Sequence, residues 1–168
     1  MVELRDATPA DALDIAELHV ASWQVAYRGL IADEVLAGLS VPNRAAWWSR
    51  ALATADGRHT LLATEDGTLL GFTAFGPDRA TDPSDGEVYA LYLHPAAWGR
   101  GVGRALHGAA LDRLRALGHR RARLWMLAGN ERALRFYRLA GWTEDGRSKL
   151  ETGADGVQLD HRGMSRPL

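Results

Sequence analysis

The chain has 168 residues, 46% of them hydrophobic and 24% charged, with a formal net charge of -1 and no cysteine. That length and composition fit a single domain, residues 1–168, with a sizeable core. Near-neutral charge argues against nucleic acid or an anionic membrane as partner, and the missing thiols exclude disulfides, thiolate metal sites and cysteine nucleophiles.

The opening "MVELRDATPADAL" lacks the apolar core of a signal peptide, and no stretch reaches the ~20 apolar residues of a membrane span, so a soluble cytoplasmic protein is expected. "VELR" reads as a strand. Thr8, Pro9 and Asp11 then make a helix-start signal, and Ile15, Leu18, Ser22 and Val25 recur at helical spacing beside a stripe of His19, Trp23 and Tyr27, up to Gly29. Two more helical pieces are predicted over about 33–39 and 42–53. "HTLLATEDGTLLGFTAFG" holds two β-type runs joined at Asp66-Gly67, a dipeptide suited to a tight hairpin. The acidic loop "DRATDPSDGE" leads into "EVYALYLHP", apolar enough for a central strand.

That strand runs into "AAWGRGVGRALHG", with glycines at 99, 101 and 103. A stripe of Val102, Leu106, Ala110, Leu114 and Leu117 follows, ended by Gly118. "RRARLWML" reads as the next strand. Asn130 is placed to cap a helix through "ERALRFYRLA", closed by Gly141, and two weaker strands are expected near the end with Asp155-Gly156 in the turn between them. The order β, helices, ββ, β, α, β, α, ββ implies an α+β sandwich, helices on a mixed sheet.

A strand passing through glycines into a helix N-terminus gathers backbone N–H groups and the positive helix end at one point, the makings of a phosphate site. The G-x-G-x-x-G dinucleotide pattern is not met, since the third glycine comes one place early, and no Gly-Lys-Ser/Thr is present. A glycine-rich turn without a ligand is the alternative. No H-E-x-x-H or other metal-ligand spacing occurs, so no metal is expected, and there is no G-x-S-x-G.

"YALYLHPAAWGRGVGRAL", followed by "NERALRFYRLAGW", resembles the GCN5-related N-acetyltransferase (GNAT) superfamily, through Gly101-Val102-Gly103 and through Asn130, Ala133, Phe136, Tyr137, Gly141 and Trp142. Trp98 stands where the family usually has Gln or Arg. The resemblance implies a mixed, mostly antiparallel sheet of about six or seven strands with about four helices. It also implies acetyl-CoA as co-substrate, its pyrophosphate cradled by Gly99, Arg100, Gly101, Val102, Gly103 and Arg104, with Arg100 or Arg104 supplying charge. Leu91, Tyr92 and Leu93 would pair with the pantetheine, and Asn130 belongs to the same matched segment. Acetyl would pass directly to a primary amine in a ternary complex, Tyr137 acting as general acid. Glu87 would act either as the base or structurally, as a solvated strand end or in an ion pair. A catalytically idle acyl-CoA sensor is the alternative.

The acceptor, a small-molecule amine or a protein N-terminus or lysine, would meet the first helices, residues 9 to 54. Trp23, Tyr27, Trp47 and Trp48 are there either as an aromatic wall or as core, and Tyr89 is a further contact candidate. The acidic loop hints at a cationic acceptor. His94 reads as part of the turn after the strand. A homodimer is compatible with the resemblance.

Overall fold

In the computed structural model residues 1–152 and 157–168 are described. The expected Asp155-Gly156 turn lies outside them. The chain follows the predicted order: β1 (Glu3–Asp6), α1 (Ala12–Ala26), α2 (Asp33–Ala37), α3 (Val41–Ala53), β2 (His59–Glu65), β3 (Thr68–Pro77), β4 (Gly86–Leu93), α4 (Val102–Ala116), β5 (Arg121–Leu127), α5 (Glu131–Leu139), β6 (Thr143–Thr152) and β7 (Gln158–Pro167). All seven strands form one sheet in the order β1-β2-β3-β4-β5-β7-β6. Only β4 and β5 run parallel, as a strand–helix–strand unit through α4 requires.

Local chemistry accounts for the element ends. The Thr8–Asp11 signal builds a 3-10 turn before α1: Asp11 accepts from the Thr8 backbone N–H at 2.7 Å while Arg5 forks onto the same carboxylate at 2.6 and 2.9 Å. Asp66 and Gly67 both take positive φ, 51° and 78°, which turns β2 into β3. Asn130 caps α5 by accepting from Ala133 N–H at 3.2 Å.

Two cores lie on opposite faces of the sheet. Phe75, Leu106, Leu114, Leu124, Trp142 and Met164 pack beneath α4 and α5. Ile15, Leu18, Trp48, Leu62 and Phe72 pack beneath α1 and α3. Two positions on the expected helical stripes move outward, Val25 and Leu117, at 39% and 52% exposure. Tyr27, on the stripe beside Val25, is the buried one, because it sits at the turn where the chain folds back over Ile31 and Leu36.

Candidate active site

β3 and β4 fall out of step for one residue: Ala74 pairs with Ala90, but Phe75 pairs with Val88, leaving Tyr89 as an extra residue in β4. Such a bulge bends its strand and sharpens the twist. The bend shows on the other edge of β4. β4 and β5 pair only through Gly86–Val88 and Ala122–Leu124, and then part, although β4 continues to Leu93 and β5 to Leu127. The edge of β4 that faces β5 is therefore open beyond Val88, in mid-sheet, where a ligand with amide groups can pair as an added strand.

The opening is a cleft of about 450 Å³. One wall is Leu91, Tyr92 and Leu93; the other comes from Trp125–Leu127 and from Asn130, Phe136 and Tyr137. Its floor is the glycine turn. Gly99 and Gly101 hold φ of 77° and 83°, with nothing within 4 Å of where a Cβ would stand. These positions need glycine for backbone conformation and leave open space at the loop. The first backbone bond of α4 runs from Ala105 N–H to Gly101 C=O, so the N–H groups of Val102, Gly103 and Arg104 are without helical partners at the positive helix end. That array suits the pyrophosphate of coenzyme A.

The expected residues divide within this frame. Gly99, Gly101, Gly103 and Arg104 line the cleft, as do Leu91, Tyr92, Leu93, Asn130, Tyr27, Tyr89 and Tyr137. Val102 sends its side chain into the core, leaving its N–H as its contribution. Arg100 is held at the surface by Glu65. The cation that the sequence reading missed is Arg132, whose guanidinium carbon lies 3.6 Å over the Trp98 ring, both residues lining the cleft. Trp98 thus holds a positive charge in place beside the loop where the family has Gln or Arg. Residues in different elements meet here, so only the tryptophan's departure from the pattern pointed to it.

Burial pushes the Tyr137 hydroxyl well above its usual pKa. It therefore keeps its proton through the neutral and mildly alkaline range. Glu87 is placed differently. Buried to 2% exposure, its carboxylate accepts from Arg79 backbone N–H at 3.0 Å, Nε at 3.3 Å and Nη2 at 3.0 Å, and it lines neither cavity of the site. Burial contradicts a solvated strand end, because the carboxylate sits under Arg79, and of the roles left the geometry favours the ion pair over the base. The acidic loop also turns inward: Asp78, 2% exposed, accepts from the N–H groups of Ala80, Thr81 and Asp82, and Asp85 pairs with Arg123 at 2.8 Å. Its carboxylates hold the loop together, which removes the basis for a cationic acceptor. His94 Nδ1 accepts from Ala96 N–H in the turn after β4, as expected.

A second cavity of about 380 Å³ lies across β4, under α1 and α3. Tyr89, Ala90 and Tyr92 line both, so the two spaces share a boundary at the bulge. Trp23 and Trp48 face the second cavity and Tyr27 the cleft. The aromatic residues of the first helices therefore serve both as core and as wall. No group of three or more His, Asp or Glu side chains arranged for a metal occurs among the described residues, and no helix there is long and apolar enough to cross a membrane.

Residues 14–142 match the model of the acetyltransferase (GNAT) family. The chain is 31% identical over 169 residues to the uncharacterized N-acetyltransferase YuaI of Bacillus subtilis, covering 99% of this chain and 94% of that one. Among solved structures, a GCN5-related N-acetyltransferase from Rhodopseudomonas palustris superposes with a TM-score of 0.80 at 25% identity, covering 99% of this chain and 95% of that one. The protein yncA from Salmonella typhimurium, solved with its cofactor acetyl-CoA, superposes with a TM-score of 0.72 at 26% identity, covering 100% and 94%.

Proposed function

The chain belongs to the acetyltransferase (GNAT) family, and from that premise we propose that it transfers acetyl from acetyl-CoA directly to a primary amine with both substrates bound together. The observation that carries this reading is the parting of β4 and β5 beside the free N–H groups of α4: one cleft offers a strand edge for the pantetheine amides and an anion cradle for the pyrophosphate. The second cavity, which meets the cleft at Tyr89, Ala90 and Tyr92, gives the amine its approach.

In this scheme Val102, Gly103 and Arg104 hold the pyrophosphate through backbone N–H, with Arg104 and Arg132 adding positive charge. The open edge of Leu91–Leu93 orients the pantetheine. The neutral amine forms its bond to the acetyl carbonyl carbon as the carbon–sulfur bond breaks. Tyr137 donates its proton to the departing thiolate, and the amine releases one to solvent, from which Tyr137 is reprotonated. Burial of the Tyr137 hydroxyl supports this role, since the group enters the reaction protonated. Glu87 serves the wall, by fixing Arg79 over Tyr89 at 4.0 Å.

The test is release of free CoA thiol from acetyl-CoA across a panel of amines, alongside calorimetric binding of CoA and of ADP. Release with at least one amine is expected, and CoA should bind more tightly than ADP. CoA binding with no release from any amine would return the chain to an idle acyl-CoA binder, and equal affinity for ADP would remove the pantetheine track.

A further inference from the structure

The charges around the second cavity are unevenly satisfied. Three arginines and one aspartate line it. Asp6 pairs with Arg113, Arg58 with Asp56, and Arg79 with Glu87. Arg44, half-buried on α3, has no ion pair among the described residues; its guanidinium carbon lies 5.5 Å from the centre of the Trp23 ring.

His19, from α1, adds a second unanswered group. Its Nδ1 accepts from the Trp48 indole N–H at 3.2 Å, so the neutral ring carries its hydrogen on Nε2, and that buried atom has no partner among the described residues. Desolvation, with Arg44 nearby, lowers its pKa to about 3, which keeps the ring neutral at physiological pH. Leaving a buried donor unanswered is destabilising, and native structures rarely do so without cause. Here a cation and a histidine whose buried N–H is unanswered line one cavity, and neither has an acceptor among the described residues. The remaining wall is apolar and aromatic, chiefly Trp23, Trp48, Ala51 and Leu52.

We propose that this cavity binds an acceptor amine that also bears a carboxylate and an apolar body, an α-amino acid with an aliphatic or aromatic side chain. Its carboxylate lies on Arg44 and the Nε2–H of His19, its side chain lies against Trp23 and Trp48, and its amine turns to the Tyr89–Ala90 boundary with the cofactor cleft. Polyamines are disfavoured, because a second cation would meet Arg44 with no carboxylate to neutralise it. The amine's fate rests on the acetyl-transfer reading; the carboxylate site does not.

Two experiments keep these apart. In the first, N-acetyl-L-phenylalanine and N-acetyl-L-phenylalaninamide are titrated calorimetrically into the protein with CoA present. The acid should bind at least tenfold more tightly than the amide, and Arg44→Gln should erase that preference with an unchanged melting temperature, while Arg44→Lys keeps part of it. Absent binding of the acid, equal affinity for acid and amide, or a preference that survives in Arg44→Gln would overturn the proposal. In the second, L-phenylalanine and L-leucine are compared with L-phenylalaninamide and spermidine as acceptors. Lower KM for the two acids is expected; turnover of spermidine or the amide at equal or lower KM would overturn the amino-acid assignment and leave acetyl transfer intact. Failure of every amine to release CoA would remove the transferase reading, with the titration still deciding the carboxylate site.

Discussion

Replacing Glu87 by Gln separates an ion pair from a base. The carboxylate is buried and accepts three hydrogen bonds, all from Arg79. Gln keeps the shape and one acceptor oxygen but loses the charge, and it brings an amide NH2 up to a guanidinium. Hydrogen bonds to charged groups are worth about 1.5–3 kcal/mol each, and the half-exposed Arg79 side chain lowers that through solvent screening, so a net loss of about 2 kcal/mol is expected. For a domain of this size that lowers Tm by about 4–8 °C. Arg79→Gln should cost at least as much, because it leaves a buried carboxylate with one backbone donor. Thermal melts give the stability, and steady-state kinetics from pH 6 to 9 give the rest: kcat should fall less than about threefold, with the pH profile unchanged. A general base would behave otherwise, losing about 100-fold near neutral pH and recovering as the free amine fraction rises. An unaltered Tm together with that pH-dependent loss would refute the ion-pair assignment.

Gly103→Glu tests the anion cradle. A Cβ there meets Leu93 Cδ1 at 3.3 Å, a contact that a small shift of the leucine relieves, so the variant should fold. Its carboxylate would compete for the free N–H groups of α4 and raise the acetyl-CoA Kd at least tenfold, about 1.4 kcal/mol; an unchanged Kd by calorimetry would remove the site. Tyr137→Phe removes a hydroxyl that makes no hydrogen bond among the described residues, so Tm and acetyl-CoA Kd should hold while kcat drops about 100-fold. Parental turnover would leave the thiolate to depart unaided. Stability should fall on acidification in a particular window. Desolvation lowers His19 to about 3 and His107 to about 4 in the folded chain, against 6.5 unfolded. Above pH 6.5 both states are neutral and neither histidine contributes any pH dependence. Below it the unfolded chain takes up protons that the folded chain refuses, costing about 2 kcal/mol per histidine between pH 7 and 5. Urea melts at pH 7, 6 and 5 read this directly, and a flat stability across that range would show that the two rings are not held neutral.

Much of the fold could be read from punctuation in the sequence. Asp66-Gly67, Asn130, Gly118 and the Thr8–Asp11 box each act through the backbone within a few residues, and each sits where the structure uses it. The same local logic made the glycine turn visible, because free N–H groups at a helix start are a property of consecutive residues. What failed were inferences about faces. Val25 and Leu117 keep helical spacing yet lie outside, since the width of a buried stripe depends on what packs over it. The pairing of Arg79 with Glu87, and of Arg132 with Trp98, joins a loop to a separate element, and no helix or strand spacing rule reaches from one to the other.

The extra residue in β4 carries more of the site than any side chain does, and periodicity hides it. Val88, Leu91 and Leu93 pack toward α4, while Tyr89, Ala90 and Tyr92 pack toward α1 and α3. Strict alternation would send Tyr89 and Ala90 to opposite faces. The bulge puts both on one side, and the accompanying bend parts β4 from β5. One insertion thus opens the strand edge and turns Tyr89 and Ala90 toward the second cavity, and under the proposed transfer the two substrates would meet where the ladder breaks. An apolar run such as "EVYALYL" reads the same with or without the shift, because both faces of a central strand are buried. The bulge becomes visible only when the partner strand supplies a register to count against.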